Sequence, residues 1–459
     1  MTSLNLYNTK SRSVELFTPL NAPTVTLYAC GPTVYDFTHI GHMRKYIGDD
    51  IVRRTLVTMG YTVTHVMNIT DVGHLSDDAD TGEDKLEKGA KREGKSVWDV
   101  SAMYTDYFHT TMRAINVLSP THETKATDHI TEMIALVEVL LAKGFGYETN
   151  EAIYFDVSKD SAYGALSRQK LEEKEVAVRD DVVIDPDKRH AADFALWFKR
   201  VGKFRDHSMY WPSPWGDGFP GWHIECSAMA MHYLGETIDI HTGGVDHIPV
   251  HHENEIAQSE CATGHEFVRY WIHHEFLQVD GVKMSKSLNN FYTLEDITAR
   301  SIDPLAVRLL CMQTSYRKPL NFTWDSLEAA ALQLKKIQKF ASHQEVIGSS
   351  SSAYEEMFRE ALCDDLNTSK ALATLWELYN DQSITDADKW ATILEYDKVL
   401  GLNLEQFPKL VISPEAKLLV ISRDHARATK DFATSDTIRR DLEALGYEVL
   451  DTPKGTRLQ

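Results

Sequence analysis

An apolar run, Thr24 to Tyr28 in TVTLYAC, is closed by Gly31-Pro32 and followed from about Thr38 by a helix-like stretch that includes HIGHMRKYIGDDIVRRTLV. Strand, tight loop and long helix in that order open a parallel α/β sheet, because each element has one apolar face and buries it against the other. A second run, TVTHVMNIT (Thr62 to Thr70), ends in Asp71-Val72-Gly73. Ligands collect beyond the carboxyl ends of such strands. A β-like segment, GETIDIHTGGVDHI, resumes the sheet before a helix predicted to start near His251.

Between these pieces the pattern changes. Val97 to about Gly144 reads as amphipathic helix, and about Tyr147 to Lys203 mixes short strands, turns and charges in the manner of an inserted module. Residues 74–96, HLSDDADTGEDKLEKGAKREGKS, place Asp78, Asp80 and Gly82 in the order of a calcium loop. A third oxygen ligand before the glycine and a closing glutamate are missing, so the stretch reads as a solvated loop. Beyond a loop at 279–290 the period is helical almost throughout, with LEAAALQLKKIQKFA and SKALATLWELYNDQ the clearest segments of a bundle. A serine-rich linker (Gly348 to Ser352) interrupts it. Ser413 to Gln459 reads as a small helix-rich unit with an extended end.

Composition narrows the function. A chain of 459 residues with 43% hydrophobic content can bury more than one core. Its net charge of −20 excludes a general nucleic-acid coat protein. The deficit is not uniform, since Ser413 to Gln459 holds equal numbers of basic and acidic residues, which leaves room for a selective RNA partner. Five scattered cysteines do not make a disulfide framework and fit a reducing compartment. The amino-terminal stretch has no apolar core of signal-peptide length, and no segment has 18 uncharged apolar residues, so the expected protein is soluble and cytoplasmic.

Two constellations carry chemistry. His251 and Glu255, in HHENE at the start of the predicted helix, are four apart and can share a face. Imidazole and carboxylate at that spacing suit zinc, and Cys226 in GWHIECSAM and Cys30 at the end of the first strand would complete a four-ligand site. The same residues read equally as an exposed helix face and two small core residues. Cys261, Cys311 and Cys363 fall inside apolar helical patterns and read as core.

The second constellation is His39-Ile40-Gly41-His42, at a turn from loop to helix where backbone N–H groups favour anions. Two imidazoles three apart can donate to phosphate, and Gly41 removes the side chain that would keep a flat base from the backbone. Far downstream, Lys283-Met284-Ser285-Lys286-Ser287 puts two ammonium groups and two hydroxyls on a loop after a strand. Such a loop can close on a triphosphate.

Each motif alone reads also as a capped helix start or a solvated basic loop. Together, in that order and about 240 residues apart, they resemble the signature pair of the class I aminoacyl-tRNA synthetases. Further strings narrow the resemblance to the cysteinyl-tRNA synthetase family: YACGPTVYDFTHIGHMRKY, NITDVG, SPWGDGFPGWHIECSAMAMHYLG, DIHTGGVDHIPVHHENEIAQSE and VDGVKMSKSLNNF, continuing to DLNTSKALATLWEL and DTPKGTR. The resemblance implies a Rossmann-like α/β catalytic domain over residues 1–290 with an inserted module at about 112–203. Linking helices and an anticodon-side bundle would follow over 291–400, and a small tRNA-binding unit over 401–459.

The resemblance also implies an activity. Cysteine would attack the α-phosphate of ATP to give cysteinyl-adenylate, and the cysteinyl group would then pass to the terminal adenosine of tRNA(Cys), with Mg2+ accompanying ATP and one Zn2+ held by Cys30, Cys226, His251 and Glu255. His39 and His42 would serve the phosphates, Gly41 the base, Asp246 the ribose, and Lys283 and Lys286 the leaving pyrophosphate. Thr70 and Trp222 would line the amino-acid pocket. The expected enzyme is a monomer with no membrane partner. A family ligase that joins cysteine to an amino sugar would share the site but has no need of a helical tract over about 320–459. A non-catalytic RNA-binding paralogue would have no need of the motifs.

Overall fold

The computed structural model describes residues 3–73, 75, 84–169, 185–284, 288, 290–452 and 455–458. The chain opens with an antiparallel pair, β1 (Asn5–Asn8) and β2 (Ser13–Leu16). Five parallel strands form the central sheet: β3 (Thr24–Ala29), β4 (Thr62–Ile69), β5 (His122–Lys125), β10 (Ile238–Gly244) and β11 (Val268–His274), in spatial order β11-β10-β3-β4-β5. Neighbours pair in register, Tyr28 with Val66 and with His241, and Thr242 with Ile272. The chain leaves β3 toward β4 on one side and returns to β10 on the other. The switch point of the sheet therefore lies between the carboxyl ends of β3 and β10, where an open α/β sheet forms its crevice.

Helix α1 (Ile40–Thr58) follows β3 and is buried on more than one side, with Ile40, Met43, Ile47, Ile51 and Leu56 in the core together with Arg44, Asp49, Asp50 and Arg54. Buried charges require partners. Asp50 Oδ2 accepts from Arg54 Nε and Arg308 Nη2, each at 2.6 Å, and its Oδ1 accepts from the backbone of Leu118 at 3.0 Å. Arg308 also donates to the carbonyls of Leu400, Ile115 and Asn116. Gly401 follows at φ +62°, and a Cβ there would stand 2.7 Å from Arg308 Nη2. The helix that begins at the HIGH motif is thus clamped to the end of the helical tract.

The remaining helices of the catalytic half are α2 (Lys85–Glu93), α3 (Val97–Ala114), α4 (Ile130–Ala142), α5 (Trp222–Leu234) and α6 (His251–Thr263). A separate antiparallel sheet, β6 (Gly146–Glu148), β7 (Ala152–Phe155), β8 (Phe194–Lys199) and β9 (Gly218–Pro220), is inserted between α4 and α5. A small sheet of β12 (Leu277–Val279), β13 (Val282–Lys283) and β14 (Leu320–Phe322) carries the start of the KMSKS segment. Helices from Leu294 to Leu400 form the tract behind α1, and Pro414–Ala428 and Phe432–Ala444 pack with a hairpin, Val449–Thr452 and Gly455–Leu458, as the final unit. Among the described residues no helix is long and apolar enough to cross a membrane.

Three expectations change. The helix read over Val97 to Gly144 is broken after Ala114, because Asn116 takes φ +53° and Ser119-Pro120 cannot continue a helix. The polar segment HETK between the two halves is β5, an edge strand of the main sheet, so the inserted sheet starts at Gly146 rather than near 112 and extends past 203 to Pro220. The loop read over 74–96 contains α2, which is capped by Asp84, ends at Gly94 with φ +62° and buries Leu86. Asp78, Asp80 and Gly82 lie outside the described residues. Lys336 stands 4.5 Å over the Tyr379 ring, and Lys339, on the exposed face, pairs with Glu448 of the final unit at 3.1 Å.

Arg308→Met leaves Asp50 buried with half of its compensation. Denaturant unfolding is expected to show a loss of about 3–5 kcal/mol, the usual cost of removing one partner from a buried ion pair.

Candidate active site and metal centre

The four side chains read as metal ligands converge on the crevice between β3 and β10. Cys30 is the first residue after β3, and its backbone N–H donates to the Thr242 carbonyl at 3.1 Å, so its position is fixed by both strands of the switch point. Cys226 comes from α5, and His251 and Glu255 from the first turns of α6. The ligand atoms of these four side chains all lie within 4.8 Å of one another, and every one is buried. Glu255 Oε1 faces His251 Nε2 at 3.0 Å without an aligned hydrogen bond, a buried oxygen left for another partner. Two sulfurs, one imidazole nitrogen and one carboxylate oxygen form a set suited to a borderline-soft divalent cation.

The electrostatics fit the same partner. Burial pushes the Cys30 thiol up, and the hydrogen bond that the Cys226 thiol donates to Cys30, together with burial, holds the Cys226 thiol far above its ordinary value. Burial pulls His251 down, but Glu255 and Cys226 beside it outweigh that and raise it to about 10. Without a cation the cluster is held together by protons, and metal binding must release them.

A wider histidine shell surrounds the cluster. His241 Nε2 meets Glu255 Oε2 at 2.9 Å, His223 Nδ1 meets His251 Nδ1 at 2.9 Å, and His252 lies 3.3 Å from Cys30 Sγ while its Nδ1 meets His273 Nε2 at 2.7 Å. Cys30, His241, His252 and Glu255 satisfy the same 4.8 Å criterion, so two ligand sets overlap at Cys30 and Glu255. The set with two thiolates matches zinc more closely than the set with one, since thiolate is the softer ligand. These extra histidines were not singled out from the sequence. The signal was there, in that seven of the chain's twenty histidines fall between residues 241 and 274. Gly243 makes room for them, because a Cβ at that position would stand 2.4 Å from the His252 ring.

The HIGH motif caps α1. His39 Nδ1 accepts from the backbone N–H groups of Gly41 at 3.1 Å and His42 at 3.3 Å, and His42 Nδ1 accepts from the His39 N–H at 3.4 Å. Both neutral rings must then carry their proton on Nε2. They stack 3.6 Å apart, so the helix amino terminus presents two imidazole N–H donors as a pair. The His42 ring is open to the cleft but closely walled. That desolvation, opposed by Asp246 and Asp36, lowers its pKa from 6.5 to about 4.

The distant KMSKS segment meets this cap. A Cβ on Gly41 would stand 2.9 Å from Met284 Cε and equally close to His39 Cε1, and Ile40 N–H donates to the Tyr292 carbonyl at 3.0 Å. Lys283 ends β13 with its ammonium 6.0 Å from the Phe276 ring centre. Lys286 lies outside the described residues. Asp246 follows β10 beside Gly244, where a Cβ would come within 2.2 Å of its carboxylate. Thr70 is buried, donating to Glu225 at 3.0 Å next to Cys226, and Trp222 opens α5 with its ring centre 4.8 Å from that of His251.

A parallel sheet whose switch point carries a HIGH-capped helix against a KMSKS segment defines a class I aminoacyl-tRNA synthetase. The fold is similar to that of Mycobacterium tuberculosis methionyl-tRNA synthetase in complex with methionyl-adenylate (TM-score 0.56, 16% identity, covering 90% of this chain and 96% of that one). It is also similar to the Agrobacterium radiobacter K84 LeuRS–tRNA–LeuAMS ternary complex (TM-score 0.58, 12% identity, covering 85% of each). Within that class the chain belongs to the cysteine–tRNA ligase family. Residues 16–332 match the model of the tRNA synthetases class I (C) catalytic domain, and residues 357–405 match the DALR domain. The chain is 46% identical over 458 residues to cysteine–tRNA ligase 1 of Burkholderia lata, covering 99% of this chain and 96% of that one. It is 42% identical to cysteine–tRNA ligase of Chlorobium chlorochromatii, covering 99% and 98%.

The depressed His42 value has a stability consequence. Between pH 6.5 and about 4 the unfolded chain binds a proton that the folded ring refuses, so stability is lost as the pH falls through that window. A ring titration by NMR is expected to put the His42 midpoint near 4, and His42→Gln to remove its share of the acid sensitivity in urea unfolding.

Proposed function

We propose that this chain is a cysteine–tRNA ligase that activates L-cysteine with ATP and transfers it to the terminal adenosine of tRNA(Cys). The observation that carries the reading is the convergence of Cys30, Cys226, His251 and Glu255 at the same crevice as the HIGH cap. A soft cation at the amino-acid end of a nucleotide cleft selects a thiol.

A pocket of ordinary contacts separates near-isosteres by only about 10²-fold. Zinc bound by these four side chains would ligate the substrate sulfur and reject the serine hydroxyl. Trp222 beside His251 and Thr70 beside Glu225 are assigned to the walls that hold the cysteine backbone toward the phosphates. The Nε2–H groups of His39 and His42 are assigned to the phosphates of ATP accompanied by Mg2+, Gly41 to approach of the base, and Asp246 to the ribose. Being neutral, His42 donates a hydrogen bond without adding charge. Lys283 and Lys286 stabilise the departing pyrophosphate. No covalent enzyme intermediate is needed, so catalysis is positioning and charge stabilisation.

Residues 1–290 are assigned as the catalytic domain, 291–400 as the bundle on the anticodon side and 401–459 as the carboxyl-terminal tRNA-binding unit of a cytoplasmic monomer. The helical tract, with its match to the DALR domain, favours tRNA over a small amine as acceptor.

Exchange of labelled pyrophosphate into ATP, run with cysteine, serine and methionine, tests the reading. Cysteine alone should support it, and an absence of cysteine-dependent exchange would overturn it. Cys226→Ser is expected to lose zinc, read by elemental analysis, and to lose cysteine activation; full zinc occupancy with unchanged kinetics would remove Cys226 from the ligand set. Lys286→Ala is expected to lower the single-turnover rate of adenylate formation by about 10²-fold or more with little change in cysteine affinity, the pattern of an interaction made only in the transition state.

A further inference from the structure

Helix α1 carries a second polar assembly, one turn beyond the HIGH cap and distinct from the Asp50 clamp. Lys45 Nζ donates to the carbonyl oxygen of Cys30 and pairs with Asp49 Oδ2 at 2.7 Å, the two side chains keeping only 13% and 4% of their surface exposed. Asp49 Oδ1 in turn meets His274 Nε2 at 2.9 Å. His274 is the last residue of β11, and α1 is notched for it at Gly48, where a Cβ would stand 2.3 Å from the imidazole. The assembly therefore joins the ends of two strands, the one that delivers Cys30 and the one that leads to the KMSKS segment.

We propose that Lys45 is a positioning residue for the metal centre, holding the Cys30 main chain through its carbonyl oxygen while Asp49 fixes the ammonium. The inference rests on the reading that Cys30, Cys226, His251 and Glu255 hold a divalent cation. The Cys30 carbonyl is a sound attachment point, because moving it moves the sulfur. Asp49 and the Tyr46 ring, whose centre is 4.7 Å from the ammonium, keep a side chain with many rotamers in one place. His274 orients Asp49 in the same way that partners of metal ligands orient them.

The test is zinc affinity, by chelator competition on the full-length protein, for the parent, Lys45→Met and Lys45→Arg. Lys45→Met keeps the length of the side chain and loses the charge and the donor. Its zinc Kd should rise about 10- to 100-fold, the range seen when a partner of a metal ligand is removed. The cobalt-loaded protein should show a shifted thiolate-to-metal absorption band, beside the fall in thermal midpoint expected from leaving Asp49 buried without its partner. The KM for cysteine should rise at least tenfold while the KM for ATP stays within twofold, and Lys45→Arg should recover most of both losses. A purely structural lysine would lower the thermal midpoint and leave the cobalt band and the zinc Kd alone. If Lys45→Met does not fold, the shorter Lys45→Leu, also without charge or donor, answers the same question. A zinc Kd within twofold of the parent in a folded neutral variant overturns the inference. When that occurs while Cys226→Ser still loses zinc, the metal reading stands and only the role of Lys45 falls. A parent that binds no zinc overturns both.

Discussion

Asp50 holds two guanidinium groups where water does not reach, and the geometry of the catalytic half depends on that arrangement. Helix α1 has to lie between the sheet and the helical tract, so it cannot keep its charges on a solvated face. Each one is matched instead: Asp50 by Arg54 and Arg308, Arg44 by the carbonyls of Phe276, Ser315 and Lys318, and Asp49 by Lys45 and His274. Hydrophobic packing alone would allow a helix to slide or roll by a fraction of a turn. Directional bonds at three levels along its length do not. The imidazoles at its amino terminus therefore sit at a fixed height over the strand ends.

The crevice itself combines two environments within one sheet opening. At its floor, burial and mutual proximity hold protons on sulfur and nitrogen until a cation displaces them. At its rim, the helix terminus offers N–H donors, and the His42 ring is held neutral. The loop of residues 30–39 joins the two, running from the Cys30 end of β3 to the start of α1. An acidic chain can operate this way because the donors that matter are local and fixed, while the long-range field is left to exclude other polyanions.

Much of this was legible in the sequence. The strand at Thr24, the strand at Thr62, the DIHTGG segment and the helix near His251 are marked by apolar runs, turn residues and the HHENE string, and they are the elements that form the crevice. What escaped was polar or non-local. HETK has no apolar run to mark it as a strand, and it pairs only because β4 offers an edge. The α2 helix was hidden by its lysines and glutamates, since only Leu86 and Gly89 are buried. Among the site residues, His241, His252, His273 and Lys45 could not be ranked from spacing, because what matters is which strand end each one faces. Those facings follow from register and from glycines at 48 and 243, whose importance is visible only when the neighbouring rings are in place.

Gly41 has a consequence of its own. The space above it is bounded from one side by the ring that caps its own helix and from the other by a methionine that arrives more than 240 residues later. A single added methyl group would press on both at once, so the capping ring and the Met284 side chain would each have to move. Position 41 thus acts as a gauge between two motifs that share no local sequence. Lesions there cannot be attributed to either motif alone, and a compensating change could be selected at Met284 as readily as at His39.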